Sequence, residues 1–128
     1  MTSTIEYPEM RLEVIGALMS LSDPSHQRSR WGRFEEGVNY YDDLTLNVHI
    51  LYDDCQVLPF PELSVPSLLY EAEVPALRAV GEALEPLLLD LGNSPDEDYI
   101  ADPRWPVVVS AARSALTTMQ ACDESDRS

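Results

Sequence analysis

The residues of this sequence best suited to chemistry are His49, Asp53 and Asp42, which surround the apolar segment 44–51. On a helix, His49 and Asp53 lie four positions apart on one face, and Asp42 precedes His49 by seven positions, near the same side. An imidazole together with carboxylates is a partial ligand set for a divalent transition metal. The spacing therefore predicts a candidate metal site at His49 and Asp53.

Two aspartate doublets, Asp42-Asp43 and Asp53-Asp54, flank the same segment and could also bind magnesium or calcium weakly through their oxygens. The alternative is that His49 forms a helix-surface pair with Asp53 and that both doublets are solvated helix ends. Acid–base work by paired carboxylates would require a pocket, which the sequence does not reveal. We therefore favour the surface interpretation and keep the metal site as a second hypothesis.

The sequence contains no familiar catalytic motif. Its five scattered glycines form no phosphate-binding loop, and no nucleophile elbow is present. Cys55 directly follows two aspartates, whose charge is expected to raise the thiol pKa rather than activate it. Cys55 and Cys122 are too far apart to suggest a disulfide framework or a zinc motif. The sequence thus favours a non-enzymatic protein without a cofactor.

The charge of the chain restricts its partners. Eight basic and 23 acidic residues give a net charge of −15. Such a surface repels nucleic-acid phosphates and anionic lipids, so we expect neither nucleic acid nor membrane as a partner. It attracts a basic protein instead, although net charge also serves solubility alone. The candidate partner-binding residues are Asp42, Asp43, Asp53, Asp54 and Trp31, and further acidic residues cluster at 62, 71–73, 82–85 and 96–98.

The basic residues concentrate around Trp31, where His26, Arg28, Arg30 and Arg33 form a cluster. One interpretation is a partner contact with the tryptophan as a binding hot spot. The other, which we favour, is that these arginines neutralise the protein's own carboxylates and that Trp31 closes the edge of the core. All eight basic residues are arginine, which is typical of a GC-rich bacterial genome.

Helical periodicity extends over most of the chain. Residues 1–7 are expected to be frayed, and Pro8 begins a helix to Leu21 with apolar residues at helical spacing. A short helix should follow from Pro24, capped by Asp23, and a loop is expected over residues 33–39. Segment 44–51 alternates like a strand but lacks a convincing partner strand, so we interpret it as a helix that buries one face.

The second half of the chain predicts further helices. The strongest periodicity lies between residues 71 and 91, with Pro86 inside the helix and Gly92 ending it. A capping box at Ser94 predicts a short helix through Ile100, and a final helix is expected over residues 103–120. We predict an all-α domain over residues 1–120, with about four main helices and several one-turn pieces, and a disordered acidic tail over residues 121–128.

Targeting signals are not apparent in the sequence. The N-terminal residues have no basic region followed by an apolar one, and no apolar run approaches the length that crosses a bilayer. The expected location is therefore the cytoplasm, with reduced thiols.

Three segments carry a resemblance to known proteins, and their sequences are Tyr41-Asp42-Asp43, Leu51-Tyr52-Asp53-Asp54 and Asp102-Pro103-Arg104-Trp105-Pro106. Over roughly residues 9–119 the chain resembles a family of small acidic actinobacterial proteins with no assigned activity. The second segment is also similar to one in small helical immunity-type proteins, which neutralise bacterial toxins encoded beside them. In those proteins a threonine usually follows the aspartates, where this chain has Cys55. Neither resemblance implies catalytic residues.

Taken together, these observations favour a cytoplasmic helical protein that binds a basic partner, and an immunity-type inhibitor is the narrower form of this hypothesis. The second hypothesis is a metal-binding protein or metal-dependent enzyme centred on His49 and Asp53. A third is a homodimer formed through the last two long helices.

Overall fold

The computed structural model describes residues 5–32 and 42–127, and side chains as far as Ser125. Its α-helices are α1 (Pro8–Leu21), α2 (Pro24–Arg30), α3 (Leu44–His49), α4 (Val74–Leu91), α5 (Asp96–Ala101) and α6 (Trp105–Arg127). A π-helical turn, Ile50–Asp54, continues α3, and short 3₁₀ helices cover Pro61–Ser64 and Glu71–Glu73. Within the described ranges there is no strand, only one isolated bridge between Trp31 and Asp42. The predicted all-α class is confirmed.

Helix α1 has the predicted bounds, with Pro8 in its first turn and Val14, Leu18 and Leu21 buried. The segment before it differs from the expected frayed end. Ile5 is buried, and the backbone N–H groups of residues 6 and 7 both donate to the carbonyl of Ser67. These hydrogen bonds order residues 5–7, while residues 1–4 lie outside the described part of the chain.

Segment 44–51 is helical, as predicted, rather than a strand. Asp43 begins α3 by accepting a hydrogen bond from the N–H of Leu46 at 2.7 Å, which satisfies a backbone donor that a helix end otherwise leaves free. The buried side chains of the segment are Leu44, Asn47 and Leu51, followed by Cys55, while Val48 is only partly buried. The expected loop over residues 33–39, and Arg33, Tyr40 and Tyr41, lie outside the described residues.

Helices α4 and α6 pack against each other, and α1 packs against α6. Pro86 lies inside α4 without ending it, and Gly92 follows the helix with a positive φ of 51°. The capping box predicted at Ser94 is not formed. Its hydroxyl donates to the carbonyl of Leu91 at 2.6 Å, so it closes the preceding turn instead of capping α5.

Helix α6 begins at Trp105 and continues through Arg127, where the sequence predicted disorder from Ala121. The physical reason is a contact that sequence periodicity cannot show. The buried Arg11 of α1 donates to the carbonyl of Met119 at 3.3 Å and to the carboxylate of Asp123 at 3.1 Å. These hydrogen bonds hold the last turns of α6 against α1.

The core lies where α1, α4 and α6 meet, and the turn after α3 closes it. Trp105 packs edge-to-face against Trp31, with ring centroids 5.8 Å apart. In the described ranges, no helix has both the length and the apolar character needed to cross a membrane.

Candidate functional site

The predicted metal ligands His49 and Asp53 form a pair on the outer face of α3 and its π turn. The imidazole Nδ1 lies 2.5 Å from Asp53 Oδ2, and the two side chains are 58% and 62% exposed. Among the residues that the structure describes, no group of three or more histidine, cysteine, aspartate or glutamate side chains could hold a metal ion. The pair therefore offers two ligands, fewer than the three protein ligands of a typical catalytic zinc site.

Asp42, the third residue of the predicted constellation, lies in the interior and is only 4% exposed. Its Oδ2 accepts a hydrogen bond from the Ser20 hydroxyl at 2.5 Å and lies 2.8 Å from His26 Nε2. Trp31 Nε1 donates to the same oxygen at 3.2 Å, and Asn47 Nδ2 donates to Oδ1 at 2.9 Å. We call these residues, Ser20, His26, Trp31, Asp42 and Asn47, the Asp42 network.

The Asp42 network connects α1, α2 and α3. Ser20 accepts hydrogen bonds from Trp31 Nε1 at 2.8 Å and from Asn47 Nδ2 at 3.2 Å, so its hydroxyl is occupied on both sides. The backbone N–H of Gly32 donates to the Asp42 carbonyl at 2.8 Å. A buried carboxylate is costly unless it is hydrogen-bonded. The donors Ser20, Trp31 and Asn47 therefore allow the carboxylate of Asp42 to remain inside the protein.

Serine, histidine and aspartate meet in this network, but their arrangement differs from that of a catalytic triad. In a triad the histidine contacts the serine and the aspartate contacts the other side of the imidazole. Here both Ser20 and His26 contact the same oxygen of Asp42. Ser20 is also buried and hydrogen-bonded to Trp31. The geometry therefore supports a role in packing three helices together rather than in nucleophilic catalysis.

Gln27 extends this polar interior toward α6. Its amide nitrogen donates to the carbonyls of Ser20 and Leu21, each at 2.9 Å. Its amide oxygen accepts a hydrogen bond from Trp105 Nε1 at 2.9 Å. The two buried tryptophans thus have their indole N–H groups satisfied by residues of α1 and α2, as buried polar groups require.

A second buried charged cluster lies at the opposite end of α1, where the guanidinium of Arg11 binds both carboxylate oxygens of Glu73 at 2.6 and 2.7 Å. The same guanidinium donates to the Leu68 carbonyl at 3.0 Å and lies 5.0 Å from the centre of the Tyr70 ring. Burial alone would lower the pKa of Arg11, but the hydrogen bonds and charges of Glu73 and Asp123 raise it overall. Arg11 therefore stays charged inside the protein.

Cys55 is buried and is not an activated nucleophile. Desolvation raises the pKa of its thiol to about 11, and the nearby carboxylate of Glu13, 3.7 Å from the sulfur, adds to this effect. Asp54 contributes least. The expected direction of the shift is therefore correct, whereas its main cause is burial rather than the two preceding aspartates.

The remaining predicted partner-binding residues differ in their exposure to solvent. Asp53 and Asp54 are exposed, whereas Asp43 is half-buried and caps α3. Trp31, expected as a candidate hot spot, is buried in the core and donates to Ser20 and Asp42. Its partner-binding role stays a prediction that this burial does not favour.

Asp96, at the start of α5, approaches α3 and accepts a hydrogen bond from the N–H of Leu44 at 3.3 Å. Desolvation raises the pKa of its carboxyl group, and the charges of Asp43 and Asp42 raise it further. The acidic residues of two distant sequence segments therefore converge around α3.

Sequence reasoning missed Ser20 and Arg11, although each is central to a buried cluster. It placed Glu73 in an acidic surface cluster, whereas the structure buries this side chain completely. The signal was present but faint, because Arg11 and Ser20 lie within one turn of the apolar stripe of α1 and Glu73 begins a helical pattern. A polar residue beside an apolar stripe is usually solvated, so only the tertiary structure distinguishes these residues from their exposed neighbours.

The chain belongs to a family described as a domain of unknown function, DUF7945, which matches residues 5–127. Comparison with curated proteins found no match, and comparison with solved structures also found none.

Proposed function

We propose that this DUF7945 protein is a non-enzymatic cytoplasmic protein that binds a basic protein partner through its acidic surface. The observation that carries the proposal is the distribution of carboxylates. Among the described side chains, only Asp42 and Glu73 are buried carboxylates, and all the others reach solvent. Most of the described carboxylates therefore face outward, where their negative charge can attract and orient a partner of opposite sign.

Three of the described arginines are paired with carboxylates of the protein itself. Arg11 is buried with Glu73, Arg78 pairs with Glu62 at 3.0 Å, and Arg104 pairs with Asp90 and Asp102 at 2.7 and 3.0 Å. Each of these three guanidinium groups therefore offsets charge locally. Because the chain has 23 acidic and eight basic residues, an excess of negative charge remains for a partner.

A narrower form of the proposal is an immunity-type inhibitor of a basic bacterial toxin. The resemblance of Leu51-Tyr52-Asp53-Asp54 to a segment of such proteins supports it, as does the exposure of Asp53 and Asp54. The two free cysteines are consistent with a reducing compartment such as the cytoplasm.

Affinity capture from a lysate of the source cells tests the proposal. We expect the wild-type protein to retain a basic protein at low salt and to release it as salt approaches about 1 M, where the Debye length falls to about 3 Å. Mass spectrometry would identify the retained protein and its isoelectric point. Recovery of no basic protein at low salt would contradict the proposal, and a toxin reading frame adjacent to the gene would support the narrower form.

A further inference from the structure

Three exposed apolar side chains converge on one cavity beside the turn that follows α3. Eight large hydrophobic side chains are exposed in the described ranges, and three of them, Tyr7, Phe60 and Leu63, line this cavity. They are 55%, 58% and 77% exposed. The cavity has a volume of about 540 Å³, and the buried Leu58 and Leu68 also line it. An apolar cluster of this kind on a soluble protein commonly marks an interaction site.

Carboxylates lie in this cavity and beside it. Asp54 lines it directly, and the carboxylate of Glu13 lies 3.7 Å from Cys55, another lining residue. Glu6 is fixed next to it, because its backbone N–H donates to the carbonyl of Ser67 at 3.0 Å and Ser67 lines the cavity. None of the described lining residues is basic.

Two described arginines beside the lining residues are paired with carboxylates. Arg78 pairs with Glu62, which lies in the 3₁₀ helix beside the lining residues Phe60 and Leu63. Arg11 pairs with Glu73 in the interior. The cavity therefore combines an apolar floor with a negative rim. Such a surface complements a segment in which an aromatic or aliphatic side chain is flanked by arginines or lysines.

We propose that this cavity is the docking site of the basic partner, and that it receives an apolar side chain of that partner between basic residues bound by Glu6, Glu13 and Asp54. The assignment rests on the proposed function and adds a location and a recognition chemistry to it. The apolar contact would supply most of the affinity, because such anchors dominate binding energy, whereas the acidic rim would supply orientation and selectivity.

Three synthetic peptides test the assignment on the full-length protein. The first is rich in arginine and lysine with a central Leu-Trp pair. The second replaces that pair by Ser-Ser, and the third replaces all basic residues by glutamate. We expect only the first peptide to bind and to shift the NMR signals of Tyr7, Phe60 and Leu63. Absence of binding by the first peptide, or equal binding by either of the others, would overturn the assignment.

A pair of matched variants adds a second test. The double variant Phe60→Ala/Leu63→Ala should weaken the dissociation constant of the first peptide about tenfold or more. Leu89→Ala removes another exposed leucine, 85% exposed on α4, and should leave the affinity unchanged. Equal affinity of the double variant and the wild type would overturn the assignment, and thermal melting would verify that all variants are folded.

The same variants distinguish failure of this assignment from failure of the proposed function. If the wild type and the double variant retain the same basic protein from a lysate equally well, the cavity is not the docking site while the proposed function stands. If the wild type retains no basic protein, the proposed function itself is wrong.

Discussion

The two histidines of this protein each contact an aspartate, but the two pairs lie in opposite environments. His49 and Asp53 are 58% and 62% exposed and are separated by one helical turn. His26 and Asp42 come from separate elements, and their side chains are 22% and 5% exposed. The sequence predicted chemistry at the first pair because local spacing is visible in a sequence. The second pair is held by more hydrogen bonds, because folding brings three further polar side chains, Ser20, Trp31 and Asn47, to its carboxylate.

This comparison shows how burial changes the importance of one type of contact. An exposed ion pair competes with water and salt, and its contribution to stability is typically below about 1 kcal/mol. A buried carboxylate has lost its hydration and depends on every donor that surrounds it. The inner residues of segment 42–55 should therefore be sensitive to substitution, and its outer residues should be tolerant.

The largest effect is expected for Asp42→Ala. This change removes the acceptor of the buried Ser20 hydroxyl and one of the acceptors of the Trp31 indole and the Asn47 amide. A buried donor left unsatisfied costs about 1–3 kcal/mol. We expect the free energy of unfolding to fall by about 3 kcal/mol in chemical denaturation. Asp53→Ala is the matched control on the outer face, and an equal loss in both variants would contradict the comparison.

A smaller effect is expected at alkaline pH from Cys55, on the inner face. Its pKa in the folded protein is raised from 9.0 to about 11. The protonated thiol therefore contributes its full stabilisation below pH 9, and that contribution is lost as pH rises toward 11. We expect the free energy of unfolding to decrease over this range by at most about 3 kcal/mol. Cys55→Ala should show a flatter pH dependence, and identical curves would contradict the assignment.

The Tyr52 hydroxyl differs from the carboxylate of Asp42 in its hydrogen bonding. It is buried without a hydrogen-bond partner among the described residues. Burial and the charge of Glu85 raise its pKa to about 12. Tyr52→Phe removes the unsatisfied group, so we expect the free energy of unfolding to rise by about 1 kcal/mol. Loss of stability in this variant would indicate that the hydroxyl has a partner in solution, and hydrogen exchange could then localise the change.

The smallest effects are expected on the outer face. His49→Ala should change the free energy of unfolding by less than about 0.5 kcal/mol, because the imidazole and its partner are solvated. His26→Ala is the matched inner variant and should cost more, about 1 kcal/mol, because it removes a contact of the buried Asp42. Equal values for the two variants would remove the distinction between the pairs.

Metal titration separates the surface interpretation from the metal hypothesis at the same residues. Because the described residues offer two ligands here, we expect zinc and manganese to raise the melting temperature of the wild type no more than that of His49→Ala. A rise that depends on His49 would restore the metal site.

Much of the fold was predictable because its determinants are local. The apolar stripe of α1, with Pro8 at its start, fixed both ends of that helix. Asp23 caps α2 as predicted, since a capping residue acts on an N–H group three positions away. The helix over residues 44–51 was also predictable, by excluding a strand that had no partner. The end of α6 was not, because its last turns depend on Arg11, more than a hundred positions earlier.

The candidate site was less predictable than the fold. His49 and Asp53 could be paired from spacing alone, and the structure places them together. The placement of Asp42 could not be predicted from spacing, because the residues that bind it come from α1, α2 and α3. The acidic rim and apolar floor of the cavity likewise come from α1, the π turn and the segment around Phe60. No single window of sequence contains such a surface.

By itself, the sequence determined the helical class, most helix starts and the excess negative charge, since these depend on composition and on contacts within a turn. Tertiary structure alone decided which carboxylates are buried and which face solvent. The physical reason is that periodicity assigns a residue to a face of its own helix, whereas burial depends on what other helices place against that face. Asp42 and Asp53 illustrate this difference, because two similar aspartate doublets have opposite environments in the folded protein.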